Sequence, residues 1–127
     1  MKPTIKLKTS DLIGPPLNWA LAKALRIEVK TSEGRVWLVG VDVGKQCFEP
    51  STDWSQFGPI AEEHLYRLDK MPQGTKCWAQ TNVLHFIEAG PTRPIAGCRA
   101  IVAKNLGSEV SVPAELCGSD LQQVATP

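Results

Sequence analysis

The chain has 127 residues and a mass of 13.9 kDa, about one domain's worth of polypeptide and enough to bury a single core without cross-links. Fourteen Lys and Arg against thirteen Asp and Glu leave a net charge of +1, which excludes a general nucleic-acid coat or a membrane-surface polycation while leaving local patches open. No stretch approaches the ~20 apolar residues of a membrane span, and no N-terminal apolar run resembles a signal peptide, so a cytoplasmic protein is expected.

Residues 1–8 alternate loosely and suit an edge strand or an ordered lead-in. Thr9, Ser10 and Asp11 offer helix caps, and Pro15-Pro16 predicts a helix from about Leu17, with Leu17, Ala20, Leu21, Ala24 and Leu25 on one buried face. Ile27 to Lys30, the turn residues Thr31 to Gly34, and Arg35 to Val41 predict a hairpin. Gly44 and the Pro50 region then break the sheet. Pro59 suits the first turn of a short helix over about 59–65, with Glu62 and Glu63 near its start.

Tyr66-Arg67-Leu68 and Lys76 to Gln80 read as short strands divided by the turn Met71-Pro72-Gln73-Gly74. Residues 81–90 favour neither helix nor strand. Thr92 as N-cap, Pro94 in the first turn and Gly107 as terminator bracket a second long helix, Ile95 to Leu106. The expected architecture is one α+β domain over residues 1–117, with a small, mainly antiparallel sheet, two main helices and one short helix. Residues 118–127 are expected to fray.

The cysteines Cys47, Cys77, Cys98 and Cys117 stand 30, 21 and 19 positions apart. They form no C-x-x-C pair, so free thiols are expected and no metal is assigned, even with His64 or His85 as extra ligands. On the first helix Trp19, Lys23 and Arg26 fall opposite the apolar stripe. Trp19 either packs under a loop or a second subunit, or forms a stacking platform flanked by positive charge. On the second helix Arg99 falls within the apolar stripe. It either snorkels or pairs with a carboxylate such as Asp53, or it reaches a pocket and holds an anion.

The loop Ser51-Thr52-Asp53-Trp54 is a candidate third wall. It is either a turn capped by its own hydroxyls and carboxylate, or a set of groups that read a ligand beneath Trp54.

Four blocks carry a resemblance: Leu17-Asn18-Trp19-Ala20-Leu21-Ala22-Lys23-Ala24, Pro50-Ser51-Thr52-Asp53-Trp54-Ser55-Gln56-Phe57-Gly58-Pro59-Ile60, Gly90-Pro91-Thr92-Arg93-Pro94-Ile95-Ala96-Gly97-Cys98-Arg99, and Gly107 to Leu116. In that order they resemble the NinX family of small tailed-phage and prophage proteins. Phe57 stands where the family commonly shows a second glycine, and Cys98 where a methionine often precedes the arginine. The resemblance implies a phage accessory protein acting in a bacterial host cell, and it brings no catalytic residues with it.

Two functions follow as expectations. One is capture of a small nucleotide-like ligand by Asn18, Trp19, Lys23, Ser51, Thr52, Asp53, Trp54 and Arg99, as a counter-defence sponge for a host immune signal. The alternative is binding and inhibition of a host or phage enzyme through the Trp19, Lys23 and Arg26 face. An enzyme is less favoured, since Asp53, His64, Glu62 and Glu63 are isolated acid–base candidates without a recognisable spacing; no cofactor is assigned. Exposed strand edges and spare tryptophans point to a homo-oligomer.

Overall fold

A computed structural model of the chain describes residues 4–39, 46–70, 76–82 and 86–117. Gly44, the turn at Met71-Pro72-Gln73-Gly74, His85 and the tail from residue 118 lie outside them. Strand β1 (Thr4–Lys8) leads through a 3-10 turn into helix α1 (Gly14–Ala24) and the hairpin β2 (Val29–Ser32) and β3 (Arg35–Leu38). Helix α2 (Trp54–His64) runs directly into β4 (Leu65–Lys70), followed by β5 (Cys77–Thr81), β6 (Ile87–Gly90), α3 (Arg93–Leu106) and β7 (Glu109–Pro113). The class is α+β with antiparallel pairing throughout, in three small sheets: β1 with β7, β2 with β3, and β4-β5-β6.

Two helices depart from the sequence expectation. Helix α1 starts at Gly14 rather than Leu17, because Pro15 and Pro16 occupy its first turn, where a missing N–H costs nothing. Helix α2 has eleven residues, as many as α1, and starts at Trp54 because Asp53, not Pro59, sets its beginning. Pro59 sits inside it and forfeits the bond to the Ser55 carbonyl, but both residues are exposed, so water can serve that carbonyl. Helix α3 follows its signals: the Thr92 hydroxyl accepts from the Ile95 N–H at 3.3 Å, and Gly107 stops it at φ 95°.

Helix α3 lies at the centre of the molecule. One face packs with Leu17 and Leu21 of α1 and Val110 and Val112 of β7, through Cys98, Ile101 and Val102. The other carries Ala96 and Ala100 against Cys77 and Ala79 of the three-stranded sheet. Small residues on this helix let its neighbours approach closely. A Cβ at Gly97 would stand 2.4 Å from Cζ of Phe57, which is fully buried.

Helix α1 closes with paired C-terminal bonds, Ile27 N–H to the Ala22 carbonyl at 2.8 Å and Arg26 N–H to the Lys23 carbonyl at 3.2 Å. That arrangement places Arg26 at φ 60°, a left-handed conformation that glycine normally fills. Arg26→Gly is therefore expected to raise stability by roughly 0.5–1 kcal/mol, the relief of left-handed strain less the extra freedom of glycine in the unfolded chain. Chemical denaturation checks this, and a loss of stability would mean that the arginine side chain holds the fold by other contacts.

Candidate functional site

The loop before α2 is built from its own side chains. Thr52 and Asp53 donate their N–H groups to the Glu49 carbonyl at 3.1 and 3.0 Å. The Asp53 carboxylate accepts from the Ser55 hydroxyl at 2.6 Å and the Ser55 N–H at 2.9 Å, which together hold its pKa below the ordinary carboxylate range. Gln56 stitches the same region, donating to the Cys47 carbonyl at 2.9 Å and accepting from the Glu49 N–H at 2.8 Å. Asp53 is thus an N-cap.

Ser51 and Asn18 meet: the Ser51 N–H donates to Asn18 Oδ1 at 3.1 Å, and both residues are buried. The Ser51 hydroxyl oxygen, also buried, has no hydrogen-bond partner among the described residues. Asn18 and Thr52 line a small cleft of about 120 Å³ together with Gly14, Pro15, Arg35, Val36, Cys47 and Glu49. Trp54 stays outside it, 55% exposed, with its ring edge-on to Phe57 at 5.4 Å. Trp19 is half-buried against the core, and the Lys23 ammonium lies 5.3 Å from its ring centroid, so the expected platform already carries its own cation.

Arg99 stands apart from that group. It is half-buried, and its guanidinium joins two distant pieces of backbone: Nε donates to the Leu12 carbonyl and Nη1 to the Ala89 carbonyl, each at 2.8 Å. It makes no ion pair with Asp53, whose carboxylate is engaged at the start of α2. Arg99 instead lines a cleft of about 380 Å³ with Ser10, Asp11, Lys76, Glu88 and Ala89 to Pro91. The segment from Ser10 to Pro15 runs between the two clefts, its first residues lining the larger and its last the smaller.

The charges in the larger cleft act on each other. Burial raises the Glu88 pKa above the usual carboxylate range, and the nearby Arg99 charge offsets this only in part. Burial likewise lowers the Arg99 pKa, while Glu88 and then Asp11 act in the opposite direction. Two cations and two carboxylates facing one concavity suit a ligand with an anionic end and a hydroxyl- or amine-bearing end.

Sequence reasoning found Arg99 but missed Asp11, Lys76 and Glu88. Reading 87–90 as a strand would have put Glu88 on the Gly90 face, toward α3; nothing local marked Asp11 or Lys76.

A third cleft, of about 410 Å³, collects Arg26, His64 and Lys104 over Leu25, Ile27 and Ile60. These basic groups sit at or just past the C-terminal ends of the three helices, where the helix dipole favours positive charge, so a structural role accounts for them. Among the described residues no group of His, Cys, Asp and Glu could hold a metal ion, and no helix is long and apolar enough to cross a membrane. All four cysteines are free thiols; burial and then Glu49 raise the Cys47 pKa, and burial raises that of Cys98.

The family model described as Bacteriophage P22, NinX matches residues 8–105. The chain belongs to the NinX family of bacteriophage proteins. The matched span runs from the end of β1 almost to the end of α3, so both the Asn18 and the Arg99 clefts lie within the NinX region, while β7 lies beyond it. No curated protein matches the chain closely enough to lend it a function.

Proposed function

We propose that this NinX-family chain is a phage accessory protein that binds a small nucleotide-like ligand in the Arg99 cleft. The observation that carries the reading is the half-buried Arg99 guanidinium, fixed by two carbonyls, beside Lys76, Glu88 and Asp11 in a concavity of about 380 Å³. That volume suits a single nucleotide unit. Nε and Nη1 of Arg99 are engaged, whereas Nη2 makes no hydrogen bond among the described residues, so Nη2 and the Lys76 ammonium would take the phosphate. Asp11 and Glu88 would accept from ribose hydroxyls or a base amino group. Asn18, Ser51, Thr52, Asp53, Trp54, Trp19 and Lys23 lie outside this cleft; Asn18 and Ser51 are buried, and only the others could act on a ligand from the surface. Held without turnover, such a ligand is sequestered, which is how a sponge for a host immune signal works.

The test is calorimetric titration with AMP, ADP-ribose, a cyclic dinucleotide, adenosine and inorganic phosphate. A phosphorylated nucleoside should bind, adenosine and phosphate alone should bind more weakly, and Lys76→Ala should weaken the best ligand about 10-fold, the worth of one charge-assisted contact. Because the Glu88 carboxyl loses its charge as pH falls through its raised pKa, affinity for the cyclic dinucleotide, whose phosphodiesters keep their charge, should rise as pH falls below 7.5, and Glu88→Gln should flatten that slope. Absence of heat with every compound at every pH overturns the reading.

A second reading, capture of a host protein, is supported by Trp54, a large aromatic left more than half exposed. A stoichiometric complex abolished by Trp54→Ala and indifferent to Lys76→Ala would favour it.

A further inference from the structure

Strand β4 is an edge. It pairs with β5 on one side and with no described strand on the other, and Tyr66, Arg67, Asp69 and Lys70 are all exposed. Arg67 and Asp69, two apart, share the sheet face opposite α3, with Nη2 and Oδ2 3.8 Å apart and both side chains about half exposed. The Arg67 guanidinium lies 5.5 Å from the Trp78 ring centroid, which holds it over that face.

Charged residues on an edge strand ordinarily keep other strands away. In β4 they have a further property. Two copies of a strand that pair antiparallel about a two-fold axis must place the axis through a residue, because side chains directly opposite each other share a face and neighbours do not. With the axis at Leu68, Arg67 of each copy faces Asp69 of the other, and both own and foreign carboxylates surround each guanidinium. With the axis at Arg67, two guanidiniums collide. With the axis at Asp69, two carboxylates meet, so among the axes within β4 only Leu68 sets opposite charges face to face.

No other described edge strand shares this property. In β1 the central axis sets Lys6 against Lys6, and in β2, β3, β6 and β7 no axis within the strand brings opposite charges face to face. We propose that β4 docks a second copy of this chain, joining two three-stranded sheets into one of six strands across a two-fold axis at Leu68. The irregularity between Leu65 and Arg67 shortens the regular pairing, so the dimer is weak and concentration-dependent. This inference does not depend on the ligand reading.

Sedimentation equilibrium across the micromolar to millimolar range tests it on the full chain. The native protein should associate as a monomer–dimer system that weakens with salt, and Arg67→Asp or Asp69→Arg alone should each weaken association at least about 10-fold. The double variant Arg67→Asp/Asp69→Arg should restore it. An equimolar mixture of the two single variants should form a heterodimer, since each then presents the charges the other needs. A native chain that stays monomeric throughout, single variants that associate as the native does, or a double variant and mixture that remain monomeric would each overturn the proposal. Circular dichroism of every variant separates a lost interface from a lost fold.

Discussion

Phe57→Ala is expected to destabilise the protein by about 3–5 kcal/mol in equilibrium denaturation, a large share of what a domain of this size possesses. Phe57 is fully buried, and it reaches α3 at the one position on that helix where no side chain intervenes. An added Cβ at Gly97 would meet Phe57 Cζ at 2.4 Å, Phe57 Cε1 at 2.8 Å and Leu65 Cδ1 at 2.9 Å, all too close to accept without movement. Gly97→Ala alone should therefore cost about 1–3 kcal/mol as an overpacked contact, despite the better helix propensity of alanine. In the Phe57→Ala background the same change should cost less or become favourable, because the methyl group enters the vacated space. A double-mutant cycle measures this, and additive effects of the two changes would refute direct packing. The contact also gives a reason for the aromatic where the resemblance led us to expect a second glycine: with Phe57 in place, α2 closes over α3.

Arg99→Met is expected to cost about 2–4 kcal/mol, from two charge-assisted hydrogen bonds and the two carbonyls left without their donor. The bonds tie the lead-in of α1 to the end of β6, so the loss should appear as early exchange of amides in both segments. Arg99→Lys, which can reach one carbonyl but lacks the planar fork, should cost about half as much. The pH dependence follows from Glu88. Its pKa is raised in the folded protein, so its contribution to stability is present below the unfolded-state pKa and lost as pH rises through the folded value. Without the Arg99 charge the Glu88 pKa rises further. The deficit of Arg99→Met should consequently be larger at pH 7.5 than near pH 4.5; a deficit independent of pH would show that the two groups do not interact.

Much of the local structure could be read directly. Thr92, Pro94 and Gly107 bracket α3 because a hydroxyl acceptor, a residue lacking N–H and a residue free to take positive φ each answer a need of a helix end. The hairpin was legible, but its turn is narrower than the Thr31 to Gly34 segment suggested: Thr31 and Ser32 belong to β2, and only Glu33 and Gly34 adopt positive φ. Helix α2 was misjudged because Pro59 gives a loud signal for a first turn, while the quieter cap at Asp53 acts through Ser55 and Gln56. The Arg99 cleft was hidden for a different reason. The guanidinium's partners are main-chain carbonyls 87 and 10 residues away, and every residue has a carbonyl.

What could be deduced from the order of residues is therefore the set of elements, the α+β class, the caps and the kinship with the NinX proteins, because each depends on neighbours within a few positions or on the chain's own pattern. Packing alone assigned the polar groups to one another. It gave Asp53 to the start of α2 and Arg99 to Leu12 and Ala89, and it put Arg99 in one cleft and Asn18 with Thr52 in another. Periodicity reports which face of a helix is buried, but the groups it meets there depend on how α3 sits between α1 and the three-stranded sheet.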